Sequence, residues 1–399
     1  MSTLKVNTVL SADTPTVNIT DGLNVTGVST VANITATTVT STNIVNATQL
    51  SHRNKVINGA VTIAQRGTSH SPGASDQKYF IDQFQHIATS GASFDATVTQ
   101  STSAPDGFDR SYKVTPDATN TPTGSGNGMF RMKLEGQDLQ DLAYGTSSAK
   151  QVTVSFYAKS ASANNGHQYT FQLRHFATDG TMRSINAPFT ITSSFQRFTF
   201  TFDGDTAVDI INTSALGMEL DWHLASGPDD IASQHTSWTT TNLFTCVTGQ
   251  SNFLDSTNNE FYVTGVQLEI GSVATPFEHR TVGEELTRCQ RYYQRLSGSN
   301  LSYFGVGNVD GANQAQILIN FVTEMRTAPT TLDTSGTASH YSIRVTTNAT
   351  GTSVPTLSNT TTKNANLNFT SASHGFTSGQ ACFGRSASAD AVLGFSAEL

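Results

Sequence analysis

"VTVSFYAK", residues 152–159, alternates apolar and polar side chains along its whole length. Because successive side chains of a β-strand point to opposite faces, this order places Val152, Val154, Phe156 and Ala158 on one face. An apolar face opposite a polar one is typical of a strand that packs on a core from one side only. The stretch therefore predicts a half-buried strand and favours a β fold.

The same alternation recurs in residues 197–202 (RFTFTF) and 217–224 (GMELDWHL). The apolar faces consist of Phe198, Phe200, Phe202, Met218, Leu220, Trp222 and Leu224, and the polar face of the second stretch carries Glu219, Asp221 and His223. Glycine, asparagine and serine turns separate such stretches, as in antiparallel two-sheet sandwiches. We predict a mainly β protein in which residues 55–280 form a jelly-roll-type β-sandwich.

Residues 260–271 (EFYVTGVQLEIG) keep this alternation but change its phase at Gly265. The apolar positions that end with Val263 fall out of step with those that begin at Val266. One extra residue in an antiparallel strand causes such a shift, and glycine is common at that position. We therefore predict a β-bulge at Gly265.

One stretch, residues 281–296 (TVGEELTRCQRYYQRL), predicts a helix instead, and we assign residues 281–297 as a connector helix. Thr281 is a suitable N-cap, and Glu284 can complete a capping box with it. The apolar side chains follow coiled-coil spacing and form a narrow helix seam: Val282, Leu286, Cys289, Tyr293 and Leu296. A short helix needs a partner for such a seam. The partner is either a sister chain or the neighbouring sheet.

The two ends of the chain differ in character. Residues 298–399 resume the strand pattern, which predicts a small C-terminal β domain. Residues 1–54 are rich in threonine and asparagine, with isolated apolar residues such as Ile34, Val39 and Ile44 at five-residue spacing. One chain could bury little of this surface, whereas three chains around an axis could bury all of it. We predict a trimeric shaft there; the alternative is a tail that orders only on docking.

Composition restricts the class of protein. The 399 residues carry a formal net charge of -8, which argues against nucleic-acid binding. The start of the chain lacks the basic and apolar regions of a signal peptide, and no apolar run approaches the length of a membrane span. We expect synthesis in the host cytoplasm without membrane insertion. The three cysteines, far apart in the sequence, provide neither a disulfide framework nor a zinc site.

Several stretches resemble virion structural proteins of tailed phages, particularly tail-fibre proteins of marine cyanophages. They are MSTLKVNTV, VINGAVTIAQRGTS, VTGVQLEIGSVATPFEHRTVGEELTRCQRYY and the final GFSAEL. The resemblance implies a homotrimeric fibre located in the virion. Its residues 1–54 would dock on other virion proteins, and its distal domains would face host-surface polysaccharide. The segment QLEIGSVATPFE also resembles the closing strand of carbohydrate-binding sandwich modules, as a likeness of fold alone.

Trp238 and His235 are the candidate sugar-binding residues. Sugar recognition needs a flat ring that stacks on a pyranose and polar groups that bind its hydroxyls. Trp222 shares a strand face with leucines, so we assign it to the core. Trp238 lies in the loop-like segment SQHTSWTTTN beside His235. The alternative is that Trp238 plugs an end of the sandwich or fills a trimer contact.

Asp203, Asp205 and Asp209 provide closely spaced carboxylates that could hold a structural calcium ion. The segment DSTNNE offers a similar set in Asp255, Asn258 and Glu260. Aspartate and asparagine are equally common in turns, which alone could explain both segments. We expect no other cofactor.

Catalytic motifs are missing from the sequence. It contains neither HExxH nor GxSxG. Glu284 and Glu285 are adjacent, but neighbours on a helix diverge by about 100° and do not flank one glycosidic bond. We expect a non-enzymatic tail fibre that recognises host glycans. The alternatives are a capsid-decorating fibre, an architectural tail component and a glycan-degrading tailspike.

Overall fold

A computed structural model describes residues 52–71, 73, 77–241, 246–372 and 375–399, which belong to one compact unit. The predicted shaft-core residues Ile34, Val39 and Ile44 lie outside the described residues, so the shaft stays a prediction.

Twelve strands build the β-sandwich. They are β1 (Ser69–His70), β2 (Gln77–Ile81), β3 (Phe84–Ala88), β4 (Ala96–Ser101), β5 (Ser111–Pro116), β6 (Asn127–Glu135), β7 (Val152–Ser160), β8 (Gln168–Phe176), β9 (Met182–Thr190), β10 (Gln196–Phe202), β11 (Leu216–Ser226) and β14 (Phe261–Ile270). The first sheet has the order β1-β4-β5-β14-β7-β10, and the second β2-β3-β6-β11-β8-β9. The strands within each sheet pair antiparallel. The prediction of a mainly β, jelly-roll-type sandwich is confirmed.

The sandwich core consists of the alternating apolar positions that the sequence indicates. Val154, Phe156, Leu220 and Trp222 have no exposed surface. The Trp222 ring stacks on Phe130 with 5.0 Å between ring centroids and contacts Phe156 edge-on. The assignment of Trp222 to the core is therefore confirmed. Burial of such large rings supplies much of the free energy that holds two sheets together.

The predicted bulge at Gly265 is also confirmed. The register between β14 and β7 shifts between Thr264 and Gln267, and Gly265 has a φ of +62°. A Cβ at this position would lie 2.7 Å from the Phe108 ring. Glycine is thus required both for the left-handed backbone and for the close approach of an aromatic side chain.

A second set of strands follows the sandwich. Seven of them form a sheet of order β20-β19-β23-β16-β17-β22-β21, and three form a sheet of order β15-β24-β18. Their bounds are β15 (Tyr293–Ser297), β16 (Tyr303–Val309), β17 (Gln314–Asn320), β18 (Thr331–Thr334), β19 (Tyr341–Arg344), β20 (Asn348–Thr350), β21 (Thr356–Thr360), β22 (Asn364–Thr370), β23 (Ala381–Ser386) and β24 (Val392–Ser396). They enclose a separate core that includes Ile317, Phe369 and Phe395. The exact domain boundaries stay a prediction.

The connector helix is shorter than predicted. Helix α1 spans Val282–Gln290, and Tyr293 and Leu296 lie on strand β15. The prediction that all five seam residues lie on one continuous helix is therefore wrong. Of its helical members, Val282 is 63% exposed, Leu286 is half-buried and Cys289 is fully buried within its own chain. The burial of Cys289 favours packing on the neighbouring β structure over packing between sister chains.

Short elements complete the described fold. Strands β12 (Ile231–Ala232) and β13 (Cys246–Val247) pair in parallel. Short 3-10 helices occur at Gly136–Leu142, Pro228–Asp230, Phe253–Asp255 and Ala338–His340. Among the described residues, no helix has the length and apolar character needed to cross a lipid bilayer.

Candidate functional site

A cleft of about 610 Å³ lies where the sandwich meets the three-stranded sheet. We call it the junction cleft. The sandwich wall comes from the edge strands β1 and β2 and the segment before them, and the opposite wall comes from β15, β24 and β18. Its lining residues are Arg66, His70, Gln77, Lys78, Tyr79, Phe80, Tyr293, Arg295, Thr331, Asp333, Thr334, Val392 and Ser396. Junctions of this kind are common ligand sites because two surfaces meet there.

Strand register brings three cleft residues of the small sheet onto one face. Arg295 pairs with Gly394, and Gly394 pairs with Asp333 on the other side. Tyr293 lies two residues before Arg295 and therefore on the same face. A Cβ at Gly394 would lie 2.1 Å from the Tyr293 hydroxyl. Glycine at this position of the central strand β24 therefore makes room for the Tyr293 side chain to lie across the strand. There Tyr293 hydrogen-bonds Asp333; burial, together with this carboxylate, raises the pKa of Tyr293.

Arg66 is a largely buried polar group of the cleft. Its guanidinium carbon lies 3.5 Å from the centroid of the Tyr293 ring, within cation–π range. Its Nη1 lies 2.9 Å from a carboxylate oxygen of Glu398. Burial raises the pKa of Glu398 to about 7; Arg66 opposes this shift and nearby Asp82 adds to it. Arg66 is therefore already bound to groups of its own chain.

The sandwich wall contributes aromatic rings. The rings of His70 and Phe80 lie 5.2 Å apart and are tilted by 32°. Burial lowers the pKa of His70, so this ring is neutral at neutral pH. The Tyr79 hydroxyl donates a hydrogen bond of 3.0 Å to the main-chain oxygen of Leu399, which also accepts one of 2.7 Å from Lys133. The wall thus offers apolar ring surface at fixed positions.

Arg295 has fewer partners than Arg66. Its Nη1 donates a hydrogen bond of 2.8 Å to the carbonyl oxygen of Gln65, and its buried Nε has no acceptor. Within the described part of the chain, no carboxylate lies within 4.0 Å of this guanidinium. Arg295 is only half-buried and lines the cleft. It presents a positive charge that the protein itself does not neutralise by direct pairing.

The outer face of the second sheet is closed by a buried ionic network. Arg131 and Arg174 each bind both Glu219 and Asp221, for example at 2.9 Å between Arg131 Nε and Asp221. None of these four residues is exposed by more than 8%. Burial lowers the pKa of the neighbouring His223 to about 4, so it is neutral. The sequence predicts that the polar face of β11 is exposed to solvent. In the structure this face is buried, and its charges neutralise each other.

The exposed position predicted for Trp238 is wrong. Its side chain is only 8% exposed, and Nε1 donates a hydrogen bond of 2.7 Å to the carbonyl oxygen of Asp203. The ring packs edge-on against His175 and Tyr144. His235 remains half-buried and lines a separate groove of about 370 Å³. The indole belongs to the hydrophobic core of the sandwich.

The calcium site predicted from spacing is not formed. Asp203 accepts a hydrogen bond from Gln151, Asp209 accepts two from Thr178, and Asp205 pairs with His175 and Arg183. In the second predicted segment, Glu260 pairs with Lys113, and Asp255 accepts a hydrogen bond from Asn259. No group of three metal-binding side chains converges among the described residues. All three cysteines are free and buried.

Sequence reasoning missed the residues of the junction cleft. Arg66 belongs to the quoted stretch VINGAVTIAQRGTS, Tyr293 to the end of the long central stretch, and Glu398 to GFSAEL. Three of the stretches that carry the phage resemblance therefore meet at one point. Their joint occurrence was the available signal, although nothing in their spacing shows that they touch.

Comparisons with known proteins find only distant structural likeness. No family model matches the chain, and no curated protein matches it significantly. The enzymatically active domain of bacteriophage CBA120 tailspike protein 4 aligns at 11% identity over 54% of this chain and 21% of that one, with a TM-score of 0.29. A family 11 carbohydrate-binding module of Clostridium thermocellum aligns at 13% identity over 53% and 98%, with a TM-score of 0.28.

A third solved structure, the xylan-binding CBM22-1 domain from Paenibacillus barcinonensis, aligns at 12% identity. It covers 52% of this chain and 94% of that one, with a TM-score of 0.26. At such low scores, the description of the fold rests on the sheet order and register of this chain itself.

Proposed function

We propose that this chain is a non-enzymatic phage virion protein, a trimeric tail fibre that binds host-surface glycans in the junction cleft. The observation that carries the proposal is the combination of aromatic rings and polar side chains in one concave site of about 610 Å³. The phage resemblance of the sequence supports the location in a virion. Residues 1–54 would anchor the fibre to other virion proteins.

The cleft has the chemistry that sugars require. Phe80 and Tyr79 provide ring surface for the apolar face of a pyranose. Gln77, Thr331 and Ser396 provide amide and hydroxyl groups for its hydroxyls. Because the two walls come from different sheets, a chain of sugars could contact both walls.

The number of carboxylates in the cleft agrees with binding without cleavage. Glycoside hydrolysis by the common route needs two carboxyl groups on either side of the bond. Asp333 is the single carboxylate among the described residues that line the cleft. Each site can be weak, because three chains per fibre and several fibres per virion raise the effective concentration.

Substitution of Phe80 tests the proposal. Phe80→Ala removes a ring of the cleft and should weaken binding to polysaccharide from susceptible host cells about tenfold, the loss of about 1.4 kcal/mol of stacking. Binding is measured by biolayer interferometry with the full chain. Phe195→Ala is the matched control: this half-buried ring lies 5.0 Å from Lys159 Nζ and does not line the cleft. Equal binding by both variants would exclude the cleft.

A parallel assay separates binding from degradation. The full chain is incubated with the same polysaccharide, and new reducing ends are measured over time. We expect none. Sustained release of oligosaccharide would replace the proposal with a glycan-degrading tailspike.

A further inference from the structure

The junction cleft is cationic although the protein is acidic. Arg66, Lys78 and Arg295 line it, and Asp333 is the only acidic residue among the described lining residues. Glu398, outside this lining, pairs with Arg66. The whole chain carries a net charge of -8. A local excess of positive charge on an acidic protein attracts anionic ligands to that place.

Arg295 is the cation that a ligand can use. Arg66 is bound to Glu398 and covers the Tyr293 ring. Arg295 donates one hydrogen bond to a backbone carbonyl, and no carboxylate pairs with it in the described residues. A partly buried charge without a counter-ion is unfavourable, and an anion bound there would offset this cost.

The surroundings of Arg295 fit an anion on a sugar. Tyr293 lies on the same strand but contacts Arg66 and Asp333. It therefore does not occupy the Arg295 guanidinium. His70, on the opposite wall with Arg66, Lys78 and Tyr79, stays neutral because burial lowers its pKa. Thr331 and Ser396 line the same wall as Arg295 and offer hydroxyl groups to the rest of the ring. An arginine fork matches planar carboxylates and phosphates better than lysine does.

We infer that the glycan bound in the junction cleft is acidic and that Arg295 binds its anionic group, a carboxylate or a phosphate ester. This inference rests on the proposed glycan-binding function. A neutral glycan would leave Arg295 without a counter-ion, so the anionic form of a given saccharide binds more tightly than the same saccharide with its charge removed.

A panel of purified bacterial surface polysaccharides tests this, with each acidic member also prepared in carboxyl-reduced or dephosphorylated form. The two treatments distinguish a carboxylate from a phosphate. We expect the charged form to bind the full chain at least about tenfold more tightly than the neutralised form, with an affinity that falls as salt rises. Arg295→Gln should lower binding of the charged form to the level of the neutralised one.

Two further variants control for folding and for total charge. Arg295→Lys keeps the charge but loses the fork, and should retain the salt dependence with intermediate affinity. Arg344→Gln removes a half-buried arginine from β19, away from the cleft, and should bind like the unmodified chain. Thermal unfolding of each variant shows whether the fold is intact.

The outcomes separate the inference from the function beneath it. If charged and neutralised polysaccharides bind equally, or if Arg295→Gln and Arg295→Lys both bind the charged form normally, the inference is wrong while glycan binding stands. If no polysaccharide binds at all, the proposed function itself fails and the inference fails with it.

Discussion

Asp82 and Glu398 both lie close to one buried guanidinium, that of Arg66. One guanidinium stabilises two carboxylates less well than one when burial limits their hydration. Burial raises the pKa of Asp82, although hydrogen bonds from Gln65 oppose the shift, and it raises the pKa of Glu398 to about 7. Glu398, which pairs with the cleft residue Arg66, is therefore a titratable group whose pKa falls in the neutral range.

The free energy of unfolding should depend on this group. The pKa of Glu398 is about 7 in the folded chain against a reference value of 4.5. Stability from Glu398 is thus fully present below pH 4.5 and is lost as pH rises through 7. From about pH 5 to about pH 8 we expect a loss of about 2 kcal/mol. Glu398→Gln should remove this part of the slope in denaturant unfolding.

An exposed carboxylate provides the control for that experiment. Glu324 is exposed and accepts a hydrogen bond from Thr362. Glu324→Gln should unfold with the pH slope of the unmodified chain. An identical slope in the Glu398→Gln variant would show that Glu398 ionises normally in the folded protein.

At the scale of elements, helix α1 is held by a single buried carboxylate. Glu285 is 8% exposed and accepts hydrogen bonds from the backbone N–H of Asn58 and from Arg280. Its neighbour Glu284 is exposed and pairs with Arg288 on the same helix at 3.0 Å. Adjacent in sequence, the two residues differ in role because they point in different directions around the helix.

Substitution of the two glutamates should therefore have unequal effects. Glu285→Ala leaves the buried N–H of Asn58 without its acceptor and removes the carboxylate partner of Arg280, which keeps its hydrogen bonds to the carbonyl oxygens of Asn54 and Val56. It should cost about 2 to 4 kcal/mol of unfolding free energy. Glu284→Ala removes an exposed ion pair and should cost less than about 0.5 kcal/mol. Urea unfolding of both variants measures the difference. Equal losses would show that Glu285 does not anchor the helix.

The elements of the sandwich could be predicted because its strands alternate. Val154 and Phe156 face the core as their spacing indicates, and the change of phase around Gly265 marks a real bulge. The helix was extended too far for a physical reason: Tyr293 continues the helical spacing and also fits a two-residue strand period. Pairing of β15 with β24 decides between the two, and this partner lies about a hundred residues away.

At the scale of the whole molecule, we predict that the protein is a trimer in solution. Light scattering of the full chain should give three times the mass of 42.5 kDa. Combined replacement of Ile34, Val39 and Ile44 by aspartate should lower the mass to that of one chain, because these residues would form the shaft core. A stable single chain at micromolar concentration before any substitution would contradict the trimer.

Leu286→Asp separates the shaft from the helix as the cause of assembly. Leu286 is half-buried on a helix whose Cys289 is enclosed by its own chain. We expect this variant to be less stable to heat but unchanged in mass. Loss of the trimer with retained stability would place the helix between chains instead.

The candidate site could not be predicted at this scale. Its walls come from residues near 66 to 80 and from residues beyond 293, which are brought together only by folding. Trp238 looked exposed because its neighbours are threonine and serine, yet its indole is held inside by the carbonyl of Asp203. Local sequence therefore does not indicate which aromatic side chains a tertiary contact will bury.

The contact of Arg66 with Tyr293 and Glu398 also limits how such a protein can be recombined. A chimera that joined this sandwich to a foreign distal module would separate Arg66 from both partners and leave Asp82 as the remaining carboxylate near it. Arg326, which donates hydrogen bonds to the carbonyl oxygens of Ser214 and Ala397, would lose half of its bridge as well. Exchange of the C-terminal strands between proteins of this design therefore requires that the three segments be inherited together.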